Sequence, residues 1–128
     1  KAIPGAVIRY CIAVSNSGGG APATNIAISD DLPGEVDFNT GTIRRNTDVS
    51  FSAGVATCDI TTGTTATDDV VDADGGQFDA GVVSGSLNNV DPDETLGFTF
   101  DVTIIPAVDD RTDSSTTASE TTDNNTPD

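Results

Sequence analysis

The 128-residue sequence has no histidine, no methionine, no tryptophan and a single tyrosine, Tyr10. Without histidine, neither a Ser-His-Asp nor a Cys-His nucleophilic arrangement can be assembled. Paired carboxylates of the glycosidase kind remain, but such a site needs a cleft lined by orienting groups, and aromatics make up only 5% of the chain. The expectation is therefore a protein that is not an enzyme. Positive charge is also scarce, with five Lys and Arg against 21 Asp and Glu for a net charge of −16. Such a chain repels phosphate backbones and anionic lipid, so neither nucleic acid nor membrane insertion is expected. No run is apolar enough to span a bilayer, and no signal peptide is present. Nor does the chain begin with Met, so Lys1 reads as a cleavage product or an internal boundary.

What is present points to strands. Of the 21 acids, 18 are Asp and three are Glu. Asp is a poor helix former and a good turn former, because its short side chain bonds nearby backbone amides. Ala, Val and Ile supply most of the hydrophobic content, which suits a thin, β-branched core between two sheets.

Period-two alternation recurs along the chain. Ile8, Tyr10, Ile12 and Val14 share one face of a first strand, which ends at the turn cluster Ser15 to Gly20. Thr24 to Ser29 reads as a second strand with Ile26 and Ile28 inward, broken by Asp30-Asp31-Leu32-Pro33-Gly34. Shorter strands are expected around Val36 and Phe38, around Ile43, and from Phe51 to Ile60. Thr61 to Gln77 reads as a loop, after which Gly81 to Leu87 resumes the alternation. The cleanest strand places Leu96, Phe98, Phe100, Val102 and Ile104 on one face before Pro106 ends it. Short strands separated by Gly, Asp and Pro turns predict an all-β antiparallel sandwich over 1–106. Residues 107–128 are polar and Thr-rich, forming either a weak edge strand or a linker.

Several of these segments resemble a known pattern. Pro4-Gly5, Tyr10-Ile12-Val14-Asn16, and Ala23-Asn25-Ile26-Ile28-Asp30-Leu32-Pro33 match a turn, a strand, and a strand with its following turn. Val36-Asp37-Phe38, Gly81 to Leu87 and Thr99 to Ile104 match later strands. Over roughly Ile3 to Ile105 the chain is similar to the bacterial and archaeal surface-protein repeat catalogued as domain of unknown function eleven. The resemblance implies an immunoglobulin-like β-sandwich without catalytic chemistry, in tandem copies on exported or cell-surface proteins. Members of that family place a first edge strand before the Pro-Gly turn, and this sequence starts at the turn. Either the sequence is part of a longer chain, or a neighbouring subunit supplies the strand in a head-to-tail homopolymer.

Four groups of residues are candidates for chemistry. Cys11 and Cys58 are the only cysteines, and an even pair in an exported acidic domain points to a disulfide. The bond would lie on the outer side of a sheet, away from the Tyr10 face, or tie a loop to it. It would close a loop of 46 residues and contribute on the order of 3 to 4 kcal/mol. Two buried thiols acting as small hydrophobes are the alternative. Asp72, Asp74 and Asp79 flank a Gly-Gly turn and offer hard oxygens to calcium, or form a solvated turn leading into a strand at Phe78. No other cofactor is expected. Asn124-Asn125-Thr126 fits the N-glycosylation pattern, and nearby threonines fit O-linked sugars. The phenylalanines and Tyr10 fall mostly at inward positions, which leaves no aromatic platform for a carbohydrate. The expected role is a structural module of an extracellular or cell-surface protein, with an adhesive or carbohydrate-binding module as the alternative.

Overall fold

The computed structural model describes residues 3–65 and 74–106. Ten strands, all paired antiparallel, build two packed sheets and a separate hairpin, and no helix occurs among the described residues. The fold is an antiparallel β-sandwich.

The first sheet is organised by β10 (Thr95–Ile104), the longest strand and the one with the most regular alternation. β1 (Val7–Ser15) pairs along one edge of it in unbroken register, from Val7 opposite Thr103 to Ser15 opposite Thr95. The other edge is shared by β3 (Val36–Phe38) and β4 (Arg44–Thr47), and β4 in turn pairs with β7 (Thr64–Thr65). The second sheet runs β2 (Ile26–Asp31), β9 (Val82–Leu87), β8 (Gly76–Asp79). β5 (Val49–Ser52) and β6 (Val55–Cys58) form the hairpin.

The inward rows of β10 and β9 meet as the alternation predicts. Phe98, Phe100, Val102 and Val83 are fully buried, as are Ile43 and Val90. Aromatic contacts run through this thin core. Tyr10 stacks on Phe100 at 4.9 Å between centroids, and Phe38 of the first sheet stacks on Phe78 of the second at 4.4 Å. Each such pair adds about 0.5–1.5 kcal/mol beyond the area it buries.

Three boundaries differ from expectation. Phe51 to Ile60 is not one strand, because the chain reverses at Ala53-Gly54, both at positive φ (50° and 80°). Ala-Gly lacks the Asn or Asp that normally marks such a turn. The stretch Thr61 to Gln77 is not wholly loop, since it contains β7 and the start of β8. Finally, β2 continues through Asp30 and Asp31, which pair with Val83 and Val82. Ladder bonds there outweigh the turn preference of Asp, and the break comes at Leu32-Pro33. The tail 107–128, including Asn124, lies outside the described residues.

Candidate functional site

β1 is an edge strand among the described residues. The Ile104 amide donates to the Ala6 carbonyl at 2.9 Å, and the Asn16 amide to Glu94 at 3.0 Å, so even-numbered residues of β1 turn their backbone groups toward β10. The odd residues, Val7, Arg9, Cys11, Ala13 and Ser15, therefore direct their N–H and C=O groups away from the sheet. Ile8, Tyr10, Ile12 and Val14 face inward as expected, yet none of them is fully buried. Ile8 stays 40% exposed. The described residues cover the side of the sandwich next to β1 only in part.

The outer face of the same strand carries the disulfide. Cys11 is bonded to Cys58 at the end of β6, with Cα atoms 5.6 Å apart. The bond lies on the side away from Tyr10, as the alternation requires, and it fastens the β5–β6 hairpin against the outer surface of the first sheet. Gly97 makes that close approach possible. A Cβ there would collide with Thr47 Oγ1 and Cys58 Sγ. Glycine inside an otherwise regular strand is a sequence signal for such an approach, and sequence reasoning missed it. Under the hairpin, Thr47 and Thr99 are buried. Thr99 Oγ1 donates to the Tyr10 carbonyl at 2.5 Å, whereas Thr47 Oγ1 has no hydrogen-bond partner among the described residues.

Beside the hairpin, Arg9 of β1 grips Asp101 of β10, with Nε and Nη2 donating at 2.7 and 2.8 Å. Those hydrogen bonds hold the Arg9 guanidinium above its ordinary pKa, against the opposing effect of burial. Past the end of β6, Asp59 Oδ1 accepts from the Thr61 hydroxyl and amide, which lowers the carboxyl below its ordinary value.

Asn16 closes the far end of β1. Its Nδ2 donates to the Ala21 and Val90 carbonyls at 3.1 and 3.0 Å, and its Oδ1 accepts from the Gly18 amide at 3.3 Å. A turn cluster read from composition gives no hint of this clamp between two distant loops.

The acidic residues proposed for calcium are placed as follows. Asp74 precedes β8 and its Oδ1 accepts from the Gly76 amide at 3.0 Å, while Asp79 ends the same strand and is exposed. Extended chain at about 3.3 Å per residue separates the two carboxylates, so the strand does not bring them together. Asp72 lies outside the described residues. Among the described residues, no group of three or more Cys, Asp or Glu side chains is placed to hold a metal ion. No described helix is long and apolar enough to cross a membrane.

Comparison with protein-family models, with curated proteins and with solved structures found no match to this chain. The reading of function rests on the physical character of the β1 edge and the surfaces beside it.

One of those surfaces departs from the sequence expectation. Phe51 on β5 is 58% exposed, with exposed Val55 across the hairpin tip. An aromatic ring is therefore available at the surface, because the Phe51–Ile60 segment folds back as a hairpin instead of joining a sheet.

Proposed function

We propose that this domain is a non-catalytic structural module of an exported surface or extracellular protein, joined to its neighbours by strand addition at β1. Its assembly is head-to-tail, as a homopolymer or as tandem copies, and the incoming strand pairs with Val7, Arg9, Cys11, Ala13 and Ser15. The single observation that carries the reading is that, among the described residues, β1 has little of the usual edge protection. Natural sheets blunt their edges with proline, inward charges, bulges or short strands. β1 is nine residues long, pairs without interruption, and contains no proline and no acid. Its one charge, Arg9, points outward and is held by Asp101.

β2, one of the two edges of the second sheet among the described residues, is different. It has six residues, and Asp30 lies in the inward row with Ile26 and Ile28. An inward carboxylate at an edge opposes pairing by any strand that would bury it. These two edges of the sandwich are thus treated oppositely.

The donor alternates apolar residues, since period two both pairs the backbone and fills the space beside Ile8, Tyr10 and Ile12. The disulfide favours an oxidising compartment. The test is sedimentation and electron microscopy of the native assembly against two variants. Val7→Pro removes an edge N–H that the β10 ladder does not use, and Ile8→Lys places a charge in the open inner row. Both are expected to fold and remain monomeric. Assembly undiminished in folded variants would overturn the proposal.

Exposed Phe51 favours a second reading, an adhesive or carbohydrate-binding module using the hairpin tip. Glycan-array binding lost in Phe51→Ser, with assembly unchanged, is the result that separates it from the first.

A further inference from the structure

Arg9 and Arg44, two of the three described arginines, line one pocket of about 220 Å³ on the outer face of the first sheet. Gly41, Thr42, Ile60, Thr99 and Asp101 complete its described lining. In a chain of net charge −16 this is an unusual place for positive charge to gather.

The polar groups of the pocket are nearly all engaged. Arg9 and Asp101 are bound to each other. The Thr42 hydroxyl donates to the Asn39 carbonyl at 2.7 Å and accepts from the Asp101 amide at 3.0 Å. Thr99 donates to Tyr10. Arg45, the neighbour of Arg44, points the other way, where its Nε donates to Ser86. Arg44 alone makes no ion pair and no side-chain hydrogen bond among the described residues.

The position of Arg44 is well determined. Its backbone pairs with Thr99 on one side and Thr65 on the other, so the side chain rises from the middle of a sheet. Arg9 occupies Asp101, the one carboxylate among the described residues that line the pocket. Among those described residues, two guanidinium groups and one carboxylate leave the pocket one unit positive. Ile60, 38% exposed, supplies an apolar wall. A planar monoanion on a short aliphatic stem fits a guanidinium fork beside such a wall.

We propose that this pocket is a carboxylate-binding site in which Arg44 pairs with an Asp or Glu side chain of a second copy of this chain. An acidic neighbour brings many such groups, and the pocket shares β1 with the open edge. The choice of a second copy as the source rests on the self-association proposed above; the carboxylate chemistry does not. A contact of this kind sets which face of an arriving copy turns toward the sheet, a specificity that backbone pairing alone does not supply.

The experiment is an NMR titration of isotope-labelled protein at low ionic strength, first with N-acetyl-aspartate and then with unlabelled protein. Both are expected to move the Arg44 Nε and Thr99 amide signals saturably. Arg44→Gln is expected to weaken both responses about tenfold, as loss of a charge-assisted hydrogen bond does, and Arg45→Gln to leave them in place. The amide spectrum of each variant reports whether it is folded. No saturable response to N-acetyl-aspartate, or an equal response in folded Arg44→Gln, overturns the site. A response to N-acetyl-aspartate without one to unlabelled protein overturns the second copy as its source. Movement of the Val7 and Ala13 amides without Arg44 leaves strand addition standing and removes the pocket from it.

Discussion

Arg45 of β4 crosses to the opposite sheet, where its Nε donates to the Ser86 carbonyl of β9 at 2.7 Å. Ordinary strand alternation places it there, with Arg44 opposite Thr99 facing outward and Arg45 opposite Phe98 facing inward. Beyond them the pairing of β4 with β10 shifts between Gly97 and Phe98, and Asn46 takes up the extra residue at φ 60°, which turns Thr47 outward opposite Gly97. The guanidinium also lies against Gly75, where any Cβ would strike it. Arg45→Met keeps the stem and removes the bridge, and is expected to cost about 1–2 kcal/mol in urea denaturation.

The disulfide gives a second expectation. Labelling of the unfolded, unreduced protein is expected to find no free thiol, because Cys11 and Cys58 are bonded. Replacing both by Ala is expected to lower stability by on the order of 3 kcal/mol. Amides of β5 and β6 are expected to lose exchange protection before those of β10, since a two-stranded hairpin is marginal by itself.

Thr47 offers a stabilising change. Its hydroxyl is buried beneath the hairpin without a partner. Thr47→Val keeps the shape and removes the orphaned group, with an expected gain of about 1 kcal/mol in thermal or urea unfolding. A loss of stability would mean that the hydroxyl has a partner in solution.

The two tight hairpins make the fourth. Ser52-Ala53-Gly54-Val55 and Asp79-Ala80-Gly81-Val82 both turn with Ala and Gly at positive φ. Alanine is strained in that region and asparagine is not. Ala53→Asn and Ala80→Asn are each expected to add about 0.5–1 kcal/mol, additively because the sites are independent. Differential scanning calorimetry of the single and double variants checks both the size and the sum.

Period-two alternation by itself determined the antiparallel strands, the inward rows of β1 and β10, and the outward side of Cys11, because side-chain direction in a strand follows residue parity. It also determined the thin aromatic core, since four of the five phenylalanines sit at positions that alternate inward. Tertiary structure decided the rest. A hairpin at Ala53-Gly54 has no turn signature in its residues, and only packing of Val49 and Cys58 over Gly97 makes its strained turn worthwhile. The Asn46 bulge cannot be read from local propensity, yet it turns Thr47 to the outer face opposite Gly97, where unbroken alternation would turn it inward. Asp30 and Asp31 read as a break and became strand, because pairing with β9 offers their backbone groups a ladder that an isolated segment lacks. The residues that distinguish β1 from β2, Asp30 above all, are written in each segment, but that both strands stand at an edge is set by long-range pairing.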